Sequence, residues 1–149
     1  MNFSFKEKGL LVSLVVTVAV FGWYFLGAFN GMQLKPDLPS LTEIIGLLIL
    51  LIVFESIAQA SIASIFRNEA EDERDRLIAR VSYRNSYWVI SAGVWLLLVQ
   101  LLSSEQFDYD SVLVTPNGVF HVLLLAFVLA EITNFVTQFY YYRKGVQAV

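Results

Sequence analysis

Glu55 and Glu131 are the residues whose type and setting point most directly to chemistry. Each interrupts a long apolar run, Ile44–Phe66 and Val119–Tyr142. Each stands 12 residues before a basic residue, Arg67 and Arg143. At 1.5 Å per residue that is about 18 Å of helix. Two helices crossing an apolar slab about 30 Å thick in the same direction would therefore carry both carboxyls near its middle, at one depth. An ionisable group there costs about 2.5–3.5 kcal/mol on insertion scales, which makes it a functional candidate. Two carboxyls sharing a site do not readily both ionise, so one holds a proton near neutral pH.

Polar residues gather on one side of that depth. Gln59 follows Glu55 by one turn, with Ser56, Ser61 and Ser64 nearby. Asn134 and Gln138 share the face of Glu131 at i+3 and i+7. Ser13, Thr17 and Ser91 lie in the same half of their own runs. The opposite halves are almost bare, apart from Gln100 and His121. The pattern predicts a vestibule floored by Glu55 and Glu131 and lined by Gln59, Asn134 and Gln138. Such a site suits a proton, a cation or a cationic small ligand. The same residues also suit a plainer role as interhelical hydrogen bonds, worth roughly 0.6 kcal/mol each. Ser56, Ala60 and Ser64, at i+4 spacing, predict a close helix–helix contact.

Other chemistry is poorly represented. There is no cysteine and only one histidine, so thiolate nucleophiles, zinc–thiolate sites and multi-histidine metal sites within one chain are excluded. No Ser-His-Asp set, phosphate loop or Glu-x-x-His pair is present, so an enzyme ranks third among the functional classes, and no metal or cofactor is expected. His121 is expected to be a solvated residue near the end of its span. The formal charge of −3 argues against a nucleic-acid partner.

The elements that must position these residues follow from hydropathy. Hydrophobic residues make up 57% of the chain and charged residues 15%, against about 45–50% and 25% in soluble domains. Four runs are long enough to span a bilayer: 9–29, 44–66, about 85–102 and 119–142. The first exceeds the usual signal-peptide core and has no small-x-small site after it, so it is read as a retained span. Asn30-Gly31, Pro36 and Pro39 mark a turn, Ser40 with Glu43 a capping box, and Pro116-Asn117-Gly118 the start of the last span. The predicted fold is an all-α integral membrane protein, one four-transmembrane-helix bundle over residues 1–149 with antiparallel neighbours. Nine of the ten basic residues fall in the two tails and the middle loop, leaving only Lys35 on the other side. The bias predicts N-in, C-in orientation, with the middle loop cytoplasmic.

That loop reads as a helix over 68–84 that runs into span three, starting at Asn68 with acidic first turns. Arg76, Arg80 and Arg84 at i+4 spacing form one basic face, suited to anionic headgroups. Asp72, Glu73 and Asp75 with those arginines are candidates for contact with lipid or with a soluble regulatory protein.

The stretch Asp72-Glu73-Arg74-Asp75, Ile78, Ser82-Tyr83 and Tyr87 resembles the cytoplasmic motif of a family of small four-span bacterial inner-membrane proteins of uncharacterised activity. The resemblance is firm over about 20 residues. It implies a bacterial inner (cytoplasmic) membrane and neighbours among helix-turn-helix regulators, and it carries over no functional residues. Two functions compete: a ligand- or ion-binding bundle, dimeric or larger because four spans rarely enclose a path, and a membrane sensor or scaffold acting through the 68–84 helix.

Overall fold

The computed structural model describes residues 5–30, 33–34, 38–65, 72–108 and 111–144. Four helices account for nearly all of them: α1 (Phe5–Ala28), α2 (Leu41–Ile65), α3 (Glu73–Phe107) and α4 (Pro116–Lys144). All four are long and apolar enough to cross a membrane. Many of their large apolar side chains face outward, among them Trp23, Leu26, Ile52, Trp95 and Leu102. So much continuous apolar surface is unfavourable in water and matches hydrocarbon.

Local signals set the helix ends. Ser40 Oγ accepts from Glu43 N at 3.2 Å, and Glu43 Oε2 accepts from Ser40 N at 2.7 Å, so α2 starts with a reciprocal capping box. Asp72 and Asp75 do the same for α3, each carboxylate taking the other's backbone N–H at 2.8 Å. The start expected at Asn68 lies outside the described residues. Pro116 occupies the first position of α4, where its missing N–H costs nothing, and Thr115 Oγ1 accepts from Gly118 N at 3.1 Å. Gly118 is required there, because a Cβ would collide with the Val112 carbonyl of the 3₁₀ turn Val112–Val114. Between α1 and α2, β1 (Phe29–Asn30) pairs antiparallel with β2 (Gln33–Leu34). Gly31 and the turn proline Pro36 lie outside the described residues.

The helices alternate in direction. α1 sits between α2 and α4, and α3 packs chiefly along α4. A compact apolar cluster of Val20, Phe21, Leu47 and Val128 joins the first, second and fourth helices. α3 and α4 approach closely at Gly93, whose absent side chain admits Ala126. Ser56, Ala60 and Ser64 are exposed among the described residues, so the helix–helix contact expected of them is not one between the described helices of a single chain.

Candidate functional site

The N-termini of α1 and α3 and the C-termini of α2 and α4 lie at one end, here the basic end. A cavity of about 360 Å³ opens between all four helices there. Its polar lining comes from Lys6 and Ser13 of α1, Gln59 of α2, Asp75 of α3, and Gln138 and Tyr142 of α4. Helical spacing explains the set. Lys6, Gly9 and Ser13 repeat along one face of α1. Gln138 and Tyr142 are one turn apart on α4.

The amides face inward because the neighbouring backbone and hydroxyls satisfy them. Gln59 Nε2 donates to Ser13 Oγ at 2.9 Å and lies 3.4 Å from the Gly9 carbonyl. Gln138 Nε2 donates to Asn134 Oδ1 at 3.0 Å, and Asn134 is buried. Gln59 and Gln138 thus meet at one cavity, and Asn134 holds the second of them.

Glu55 and Glu131 are both half-buried. Neither lines the cavity, and no hydrogen bond joins the two among the described residues. Their positions along the helices are nevertheless informative. Glu55 is four residues before Gln59, about 6 Å deeper on the same strip of α2. Glu131 is seven residues before Gln138, about 10.5 Å deeper on the same strip of α4. Among the described residues no group of His, Asp or Glu is placed to hold a metal ion.

The mouth of the cavity is a charged lock. The Asp75 carboxylate pairs with the Lys6 ammonium and accepts from Tyr142 Oη at 2.7 Å. Arg74 Nη2 donates to the Tyr142 carbonyl at 3.1 Å. Arg143 Nε lies 2.9 Å from Glu7 Oε1, and Glu7 is buried. The first, third and fourth helices are therefore tied together at this end by complementary charges.

This lock corrects the reading of Asp75 as an outward contact residue. Asp75 is buried along with Ile78 and Ser82, at i+3 and i+7, on the face that α3 turns to the bundle. Asp72, Glu73, Arg76, Arg80 and Arg84 remain exposed. Nothing in the local spacing discloses Lys6 and Tyr142 as partners of Asp75, since they are 69 and 67 residues away.

His121 also departs from expectation, being buried rather than solvated. α4 begins five residues earlier, so His121 is already in its second turn and faces α1. The rings of Tyr24, Phe25, Phe29 and Phe120 surround it, with centroids 5.3–6.5 Å away. Its Nδ1 lies 2.8 Å from the Asn117 carbonyl and its Nε2 3.1 Å from Tyr24 Oη.

No family model, curated protein or solved structure matches the chain.

Proposed function

We propose that the chain is a small bacterial inner-membrane bundle that binds or conducts a proton, a cation or a cationic small ligand from the cytoplasmic side. The observation that carries this reading is the cavity at the basic end, which opens between all four helices and is lined by Gln59, Gln138 and Ser13. Glu55 and Glu131 lie deeper on the strips that bear those two amides. Water or a small polar ligand held by the amides would meet these carboxyls next. The Lys6–Asp75 pair neutralises itself, so the mouth presents no net charge from these two residues.

Accessibility from the basic end tests the site. The chain has no cysteine of its own, so a cysteine at Glu55 or Glu131 can be followed alone. Each is expected to react with a small cationic thiol reagent applied from the basic end. Gln59→Leu with Gln138→Leu should slow that reaction, because the amides lead water inward. Cysteines that stay unreactive, or that react equally fast in the amide variants, would leave only the interhelical hydrogen-bonding role.

The orientation follows from the nine-to-one distribution of Lys and Arg. Cysteines at Asp37 and Asp108 are expected to react with a membrane-impermeant thiol reagent in whole cells, and one at Asp72 to stay unlabelled. Labelling at Asp72 would reverse the proposed topology. Oligomerisation rests on the exposed Ser56, Ala60 and Ser64 strip, which lets a second copy approach closely.

A second reading, a sensor or scaffold for a soluble regulatory protein, is favoured by one observation. The extension of α3 buries Asp75, Ile78 and Ser82 and turns Arg76, Arg80 and Arg84 outward as an uncovered basic strip.

A further inference from the structure

α3 is longer than a bilayer requires. Its 35 residues run about 52 Å, against an apolar slab about 30 Å thick. One strip of the helix changes character along that length. Arg80, Arg84, Tyr87, Trp95, Leu98 and Leu102 fall within about 80° of one another around the axis, and all six are exposed. Ile78 and Ser82, which are buried, and Gly93, which meets Ala126 of α4, lie on the opposite side. The strip therefore faces away from the packed side of α3. It is cationic at the basic end, aromatic below that, and apolar further down.

The two guanidiniums are not answered by their own helix. The positions at i±3 and i±4 from Arg80 and Arg84 hold Arg76, Leu77, Val81, Tyr83, Tyr87 and Trp88, besides the pair itself, and no acid. Among the described residues neither arginine meets a carboxylate. Asp75 and Glu7 at this end are already paired, with Lys6 and Arg143. Asp72 and Glu73 stand seven or more residues nearer the tip of α3, about 10 Å or more along the axis. Glu69 and Glu71 lie outside the described residues. Arg80 and Arg84 are about 6 Å apart along the helix, so their planar forks can converge on one phosphate. From Arg84 down to Trp95 is about 16 Å, close to the hydrocarbon depth of one leaflet.

We propose that this strip seats an anionic phospholipid of the leaflet at the basic end. Arg80 and Arg84 hold the phosphate, Tyr87 lies at the boundary between headgroup and chain, and an acyl chain runs along Trp95 and Leu98. A zwitterionic headgroup would bring its own ammonium against the guanidiniums, whereas an anionic one leaves them unopposed. Arg76 and the acidic first turn stand beyond the headgroups, so a soluble partner would meet those residues and not this pair. The inference rests on insertion of α3 in a bilayer and not on the cavity between the four helices.

Tryptophan fluorescence tests it. The chain has three tryptophans, Trp23, Trp88 and Trp95. Trp23→Phe with Trp95→Phe leaves Trp88 as the sole reporter, one turn below Arg84. The full chain is placed in phosphatidylcholine nanodiscs that contain a fraction of either phosphatidylglycerol or phosphatidylcholine brominated on its acyl chains. Half-quenching of Trp88 is expected at a mole fraction of brominated phosphatidylglycerol on the order of tenfold lower than of brominated phosphatidylcholine. Arg80→Gln with Arg84→Gln should abolish the preference and leave the circular dichroism unchanged, because both residues are exposed. Lys144→Gln, which removes a charge from the end of α4, should leave the preference in place. Equal quenching by the two lipids would overturn the proposal and leave the strip to an acidic soluble protein. So would a preference that survives loss of both arginines, one that is lost equally with Lys144→Gln, or one that appears only after Glu69→Gln with Glu71→Gln.

Discussion

Gly93→Ala is expected to lower the melting temperature of the purified protein in detergent, and Gly93→Leu to separate α3 from α4. Helix propensity alone argues the other way, since alanine is favoured over glycine by about 1 kcal/mol in a helix interior. Packing decides the sign. A Cβ at Gly93 would overlap the Ala126 Cβ and lie 3.6 Å from its Cα. Both helices are long and joined along much of their length, so neither can move aside at one position without loosening its neighbours. Overfilling a packed contact costs about 1–3 kcal/mol, enough to reverse the propensity gain. In a membrane the effect is direct, because close van der Waals approach replaces the hydrophobic drive that holds soluble helices together. Ala126→Gly in the Gly93→Ala background should restore the approach and recover most of the lost stability, a coupling that a double-mutant cycle reads out. If Gly93→Ala melts at or above the parent and the cycle shows no coupling, the crossing is looser than described.

The parts of the fold legible in the sequence are those with local causes. Four long apolar runs give four helices. Ser40 with Glu43 marks the start of α2 because both halves of a capping box lie within one turn. The polar strip of Ser13, Gln59 and Gln138 is visible because hydroxyls and amides stand out against leucine and valine, and those three residues do meet at one cavity. Residues whose role depends on a distant partner are not legible. Lys6 and Arg143 read as orientation charges, yet Lys6 pairs with Asp75 and Arg143 with Glu7. His121 reads as interfacial from its place near the start of a run, but its burial is decided by Tyr24 on another helix. Gly93 and Ala126 carry no local signal of their mutual approach. The deeper placement of Glu55 and Glu131 follows from helix geometry, whereas the neighbour each carboxyl faces depends on helix rotation, which a span with apolar residues on every side does not specify.

Asp75→Ala is expected to be the most damaging polar substitution at the basic end. Three losses coincide. The N-terminus of α3 loses one half of its capping box, and such caps are worth about 1 kcal/mol. The Tyr142 hydroxyl loses its acceptor, and the Lys6 ammonium loses its counter-ion in a half-buried setting. Breaking a buried charge pair from one side costs about 3–5 kcal/mol, because the stranded charge is left without compensation. The Lys6 side chain keeps 22% of its surface exposed, so it regains some hydration and the lower figure applies, about 3 kcal/mol in total. Asp75→Asn should cost less, since its amide oxygen still accepts one of the hydrogen bonds. Adding Lys6→Met to Asp75→Asn should return part of the loss by removing the stranded charge. Glu73→Ala, two residues away and exposed, should stay within about 0.5 kcal/mol of the parent. Melting in detergent, followed by far-ultraviolet circular dichroism, separates these outcomes. A docking residue on an outer face would give the opposite ranking, with Asp75→Ala as mild as Glu73→Ala and Lys6→Met without effect on either. That result would remove the charged lock and return Asp75 to the exposed face of α3.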